Sequence, residues 1–347
     1  MYYYYHIMPE PKTFQEAILY FSDRNRCIDY LALRRWPDGK VVCPICRRDD
    51  AKFLEKQERW QCKSVHPHRQ FSVKVGTVME DSAVPLEKWL PAVWAIVNDK
   101  NGISSWELHR TLGVTQKTAW FMLHRIRLGM SLQHKKFGTR GKMGDGSGGD
   151  GAVEVDETFV GGKLKNMHKD RRARFAAESG HAGGPTGKTI VLGMLDREAR
   201  QVRAKVVPNV KRETLQTEIL ENVKHGTAVY TDNAVPYDGL AHKYVHDVVN
   251  HAEEYVRGQV HTNGIENFWS LLKRGLKGTY VAVEPFHLDR YIDEQVFRYN
   301  NRATKENPLT DADRFSLALT QLANKRLTYA ELTGKTAEGA SGTPEPF

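Results

Sequence analysis

Apolar side chains recur at three- and four-residue steps over residues 12–36: Phe14, Ala17, Ile18 and Phe21, then Cys27, Ile28, Leu31, Leu33 and Trp36. That spacing predicts amphipathic helix, with Cys27 packing on the apolar face as a small hydrophobe. Over residues 41–79 the period shortens. Phe71, Val73 and Val75 alternate as in a strand and stop at Gly76. Residues 84–130 return to helical spacing, with Trp89, Leu90, Val93, Trp94, Ile96 and Val97 on one helix and Pro91 near its start or at a kink. Ser104-Ser-Trp-Glu107 is a capping box opening a second helix that ends near Leu112-Gly113-Val114. Thr115 caps a third, running to about Met130.

Residues 134–151 are basic and then glycine-rich, which predicts a linker and the main domain boundary. Val153 to Val160 alternates as a strand with acids in its middle. Residues 163–187 form a basic, glycine-rich insertion suited to lying on a polyanion. Thr189–Asp196 and Gln201–Val207 predict a hairpin, Arg212–Val223 a helix, Ala228–Thr231 a strand ending at Asp232, and Tyr244–Asn250 another strand. From Asn263 an amphipathic helix buries Ile265, Phe268, Leu272 and Leu276. Helices over Phe286–Asn300 and about Pro308–Leu327 follow, and a Gly/Ser/Pro tail from Gly334 is expected to be disordered. The domains expected are a helical segment (1–38), a cysteine-rich ribbon (39–80), a helical region (81–133), the linker (134–151), an α/β domain (152–303), a C-terminal helix (304–333) and the tail (334–347).

Composition narrows the partners. The 347 residues are 40% hydrophobic, enough for a real core, and carry a net charge of +9, which favours a polyanion such as nucleic acid. No stretch approaches the roughly 20 apolar residues of a membrane helix, and the start at Met1, Tyr2–Tyr5 and His6 lacks an apolar signal core. Four cysteines do not make a disulfide scaffold, so a reducing, cytoplasmic setting is expected.

Three of those cysteines stand at metal spacing. Cys43-Pro-Ile-Cys46 faces Cys62 across the ribbon, and one structural Zn²⁺ would take a histidine as its fourth ligand. His66, followed by Pro67, is the first choice and His68 the alternative. Short helix, glycine-containing turn and longer helix over 104–130 form a helix-turn-helix pattern. Its recognition helix would present Gln116, Lys117 and Thr118 at its start and Arg125 and Arg127 further along to double-stranded DNA. Downstream, Asp156 lies mid-strand, Asp232 ends a strand, and Glu266 rides on a helix. Strand, strand, strand, helix, strand, helix around a mixed sheet is the ribonuclease H-like layout. Three converging carboxylates repel unless cations lie between them, and two Mg²⁺ (or Mn²⁺) ions meet that need in phosphodiester chemistry.

The zinc knuckles with Gln70-Phe-Ser-Val-Lys-Val-Gly-Thr77, Val155-Asp-Glu-Thr158, Tyr230-Thr-Asp-Asn233, and His261-Thr-Asn-Gly-Ile-Glu266-Asn-Phe-Trp-Ser-Leu-Leu-Lys273-Arg274 resemble the zinc-ribbon DDE transposases of bacterial insertion sequences. That group is related to eukaryotic Merlin elements. His287-Leu-Asp-Arg-Tyr291 and Phe297-Arg-Tyr-Asn-Asn-Arg302 extend the resemblance over about residues 12–303. It implies a multidomain α+β chain: zinc ribbon and helix-turn-helix, then a ribonuclease H-like, DDE integrase-type catalytic domain. It also implies that Asp156 and Asp232 bind Mg²⁺ and that Lys273, beside Arg274, touches DNA. Members can use asparagine as the third ligand, so Asn263 competes with Glu266. Glu266 is preferred because a carboxylate binds Mg²⁺ better than an amide. In the second knuckle Val65 stands where a cysteine is expected. The implied activity is metal-dependent cleavage at terminal inverted repeats and strand transfer into target DNA, by a dimer or larger assembly near the bacterial nucleoid. The alternatives are a catalytically silent DNA-binding regulator, opposed by the intact acids, and a nuclease on the same fold, opposed by two DNA-binding modules.

Overall fold

A computed structural model describes residues 10–131, 141–146, 151–162, 169–170, 173, 187–232, 235–249 and 261–335. The chain divides into two compact units, Met1–Met130 with Asn301–Phe347, and Ser131–Asn300. The predicted tail beyond Lys335 and nearly all of the basic insertion lie outside the described residues.

In the first unit, α1 (Phe14–Tyr20) and α2 (Arg24–Arg35) each start on a side-chain cap: Thr13 accepts from Glu16 N–H and Asp23 from Arg26 N–H. Ile18 and Leu33, expected on the apolar face, are exposed instead. An antiparallel ribbon follows, β1 (Lys52–Leu54), β2 (Arg59–Gln61) and β3 (Gln70–Phe71), paired in that order. Its third strand is shorter than the alternation suggests. Val73 is buried, but its neighbours turn, with Val75 N–H donating to Ser72 O at 3.2 Å. Helix α3 (Leu86–Asn98) holds Pro91 without ending there. Helices α4 (Ser105–Leu112) and α5 (Gln116–Met130) are separated by Gly113, whose φ of 60° is the left-handed turn that glycine adopts at least cost.

The second unit is a five-stranded sheet in the order β6-β5-β4-β7-β8. Its members are β4 (Val153–Val160), β5 (Thr189–Asp196), β6 (Gln201–Val207), β7 (Ala228–Asp232) and β8 (Val245–Val249). β4, β5 and β6 are antiparallel neighbours, whereas β4–β7 and β7–β8 are parallel. α6 (Arg212–Asn222) covers one face, packing Ile219 with Val153, Val155 and Met194. The other face packs Val191 and Leu195 against Ile265 and Phe268 of α7 (Asn263–Gly275) and Ile292 of α8 (Leu288–Asn300). α8 starts at Leu288, after a single 3₁₀ turn over Pro285–His287, rather than at Phe286. Part of the expected linker is core: Met143 is 4% exposed and its backbone bridges to Val223. A residue that fills the α6 face is fixed by tertiary packing, which the surrounding glycines conceal.

The chain then returns to the first unit through α9 (Asp311–Gln321) and α10 (Tyr329–Leu332), two short helices in place of one long one. Phe315 packs its ring 5.0 Å from Trp94 and 5.4 Å from Phe21. Among the described residues no helix is long and apolar enough to cross a membrane.

Candidate active site and zinc centre

Each site is set by a backbone feature that aims its side chains. At the ribbon, Cys43 N–H donates to Arg48 O at 2.7 Å and Arg47 N–H to Cys43 O at 3.1 Å, curling the first knuckle. Arg47 adopts φ 63° to complete it. Cys62 N–H closes the second by donating to Arg69 O at 2.8 Å. The ligand atoms of Cys43, Cys46, Cys62 and His66 then lie within 4.8 Å of one another. Cys43 Sγ is 3.5 Å from His66 Nε2, and Cys46 Sγ is 3.4 Å from Cys62 Sγ. Three thiols and one imidazole at such distances fit a tetrahedral Zn²⁺. His66 Nδ1 donates to Pro67 O at 2.8 Å, which raises its pKa and leaves Nε2 as the ligating atom. The Arg48 N–H, followed by bonds from Cys62 and Cys43, holds the Cys46 thiol down to about 6, ready to bind as thiolate. His68 is not part of this group.

In the second unit the acids sit where strands part. β4 and β7 pair as Val153↔Val229 and Glu154↔Tyr230. The ladder ends there, and Asp156 and Asp232 each lie two residues beyond its last pair, at the point where the two strands part. Burial raises the Asp156 carboxyl to about 6, with the negative charges of Asp232 and Glu266 adding to the rise. Trp269 opposes it by donating Nε1–H to Asp156 Oδ2 at 2.9 Å. Glu266 and Asn263 are both exposed on α7. The three carboxylates do not close into one tight ligand set; among the described residues only the Cys₃His group does so. An all-oxygen donor set is the kind that Mg²⁺ or Mn²⁺ takes.

α7 is not capped by Asn263 pairing with Glu266. Its N-cap is Thr262, which makes no side-chain capping bond, and Asn263 is the first helical residue. The cap comes from β4: Glu154 Oε2 accepts Ile265 N–H at 2.8 Å. Sequence pattern pointed at Asp156 and passed over its neighbours. Glu154, two residues earlier and thus on the same strand face, holds the helix. Glu157, on the opposite face, accepts Tyr237 O–H at 2.6 Å, and burial lifts its carboxyl to about 7. The close approach of α7 depends on Gly193, paired with Asp156: a Cβ there would fall 2.5 Å from the Trp269 ring. The one available signal was the run of three acids at alternating and adjacent strand positions.

Of the expected DNA contacts, Lys117 is exposed at the start of α5, and Gln116 and Thr118 are half-buried there. Gln116 Nε2 donates to Ser105 Oγ at 2.9 Å, tying α5 to α4. Arg125 and Arg127 are corrected: they are 5% and 1% exposed. Arg125 donates to Leu327 O at 3.1 Å and Glu80 O at 2.9 Å, so its guanidinium bonds the protein interior. Helical position alone did not reveal that the C-terminal segment covers this part of α5. On α7, Arg274 is exposed and Lys273 half-buried in the last turn.

Residues 149–300 match the ISXO2-like transposase domain, and residues 22–65 match the transposase zinc-ribbon domain. The chain is 28% identical over 267 residues to an uncharacterized protein in transposable element ISH50 of Halobacterium salinarum, covering 74% of this chain and 84% of that one. It is 37% identical over 101 residues to an uncharacterized transposase-like protein of Haemophilus influenzae, covering 29% and 81%. A simian T-cell lymphotropic virus intasome in complex with PP2A regulatory subunit B56 gamma aligns at 13% identity and TM-score 0.28, over 60% of this chain and 69% of that one, too loosely to fix fold or function. With both modules matched and a relative drawn from an insertion element, the chain belongs to the ISXO2-like, zinc-ribbon transposases of insertion sequences.

Proposed function

We propose that this protein is a DDE-type DNA transposase whose sheet is ribonuclease H-like and whose Asp156, Asp232 and Glu266 hold two Mg²⁺ or Mn²⁺ ions. The observation that carries the reading is that Asp156 and Asp232 lie just past the end of the β4–β7 pairing, with the Asp156 carboxyl raised by burial first and then by the charges of Asp232 and Glu266. The ions, when bound, would lower the pKa of an attacking hydroxyl and stabilise the departing oxygen of a phosphodiester. Water attacks phosphorus at the element end, the P–O3′ bond breaks, and a 3′-hydroxyl is freed. That hydroxyl then attacks a target phosphodiester, exchanging one P–O bond for another.

The protein's part is orientation. Trp269 Nε1–H and Glu157 N–H hold the two Asp156 oxygens at 2.9 and 2.8 Å, and each oxygen keeps a second lone pair that an ion could take. Arg274 and Lys273, at the far end of α7, are placed to meet phosphates. The zinc ribbon and the α4–α5 pair bind the terminal repeats, with Lys117, Gln116 and Thr118 at the start of α5 facing DNA. Two ends must be cut together, so the working form is a dimer or larger assembly on DNA. Cleavage of DNA carrying the element's ends, with Mg²⁺ or Mn²⁺, tests the reading: Asp232→Ala should abolish nicking, and full activity of that variant would overturn it.

A further inference from the structure

Glu154 is 1% exposed, yet it is an acid inside the sheet. Such a group is costly to bury without partners, and here both of its oxygens are engaged. Oε1 accepts Arg197 Nε–H at 2.7 Å, and Oε2 accepts the backbone N–H of Ile265 at 2.8 Å. Arg197, at the β5–β6 turn, also donates through Nη2 to His261 O at 2.7 Å and lies 2.6 Å from His261 Nδ1. Its guanidinium rests 4.7 Å over the ring of Tyr230, the residue paired with Glu154 on β7. Gly264 leaves room for the contact, because a Cβ there would come 2.9 Å from Glu154 Oε2 and 2.4 Å from Leu195 Cδ2.

Three segments therefore meet at one carboxylate: strand β4, the β5–β6 turn, and the start of α7. The spacing matters for the acids. Glu154 and Asp156 share a strand face two residues apart, about 7 Å along a rigid strand. Ile265, which Glu154 holds, precedes Glu266, and one helical step turns the side chain by about 100°. Ile265 is buried against the sheet and Glu266 is turned outward.

We infer that Glu154 and Arg197 are positioning residues for the metal site: their pairing fixes the start of α7 against β4 and so sets where Glu266 stands relative to Asp156. This rests on the metal-ligand role proposed above for those acids. Loss of a merely structural ion pair would lower the melting temperature and leave the metal affinity of folded protein unchanged. A positioning pair alters affinity well below the melting temperature. Outer partners of metal ligands typically control affinity by roughly 10- to 100-fold.

The test is Mn²⁺ binding by calorimetry on the full chain, with zinc retained, at a temperature where each variant is folded. Glu154→Gln keeps the shape but loses the charge and cannot accept both donors. It should weaken Mn²⁺ binding about tenfold or more. The double variant Glu154→Met/Arg197→Met replaces the buried pair with apolar side chains, which often restores stability. Its melting temperature should return toward wild type while its Mn²⁺ binding stays weak. Asp156→Asn is the reference. If Asp156→Asn weakens binding but Glu154→Gln and the double variant bind like wild type, the positioning role is overturned. If Asp156→Asn itself binds like wild type, the metal reading falls and this inference falls with it.

Discussion

Gly193→Ala places one methyl group between β5 and α7. Its Cβ would lie 2.5 Å from both Cη2 and Cζ2 of Trp269 and 3.0 Å from Ile265 Cδ1. Carbon atoms rest at about 3.5–4.0 Å, so the indole must retreat by about 1 Å. Trp269 is 4% exposed and belongs to the core between the sheet and α7. Overpacking of this kind costs about 1–3 kcal/mol. Retreat also stretches the 2.9 Å bond from Trp269 Nε1 to Asp156 Oδ2 beyond hydrogen-bonding range. Losing a hydrogen bond to an ionised group adds about 1.5–3 kcal/mol. The sum is about 2.5–6 kcal/mol, which at a urea slope near 2 kcal/mol/M moves the midpoint down by roughly 1–3 M. Urea unfolding followed by tryptophan emission and circular dichroism reads it directly. Because the indole N–H holds the Asp156 carboxyl down, its loss should also push that carboxyl above about 6 and shift metal binding to higher pH. A midpoint unchanged within error would refute the close-approach reasoning.

Other outcomes follow from the same contacts. In metal-free protein the folded state holds the Asp156 proton to about 6, against an ordinary 3.8, so unfolding releases a proton in that window. Stability should therefore fall as pH rises from about 4 to about 6, by about 3 kcal/mol for this group, and be restored by Mg²⁺. Denaturation midpoints of wild type and Asp156→Asn across pH 4–7 check this, and parallel pH profiles would count against it. His66→Ala should lose zinc in a chromogenic chelator assay and His68→Ala should keep it, since only His66 joins the three thiols. Arg125→Ala should cost about 1–3 kcal/mol of stability by orphaning the Glu80 and Leu327 carbonyls. Lys117→Ala should cost no more than about 0.5–1 kcal/mol, from its contact 4.7 Å over the Tyr329 ring, but should flatten the salt dependence of DNA binding by about one unit of slope; a stability loss as large as that of Arg125→Ala would contradict the assignment.

The elements of the sheet unit were readable because their periods are clean. Thr189–Asp196 and Gln201–Val207 occur at the residues that alternation marks, and β7 ends at Asp232. The zinc ligands were legible because cysteine spacing constrains geometry directly, and His66 was legible from the proline after it. What escaped depends on contacts between distant segments. Glu154 looks like one more polar residue on a strand until α7 is laid across it. Arg125 looks solvated until the Leu327 carbonyl of the C-terminal segment takes its guanidinium, and Arg127 is just as hidden at 1% exposure. Met143 looks like linker because the glycines around it hide a side chain buried on the α6 face. The third acid stayed ambiguous for a related reason: an Asn-x-x-Glu pair at a helix start reads as a cap. Only the bond from Ile265 to Glu154 shows that the helix is capped from elsewhere.

The most direct measurement of the central claim is strand transfer. A short duplex ending in the DNA that flanks this coding sequence, with a free 3′-hydroxyl, would be incubated with plasmid, Mg²⁺ and zinc-loaded protein. Wild-type protein should join the duplex to the plasmid, and Asp156→Asn, folded and zinc-bound, should join none. Joining by Asp156→Asn at the wild-type rate would contradict the account.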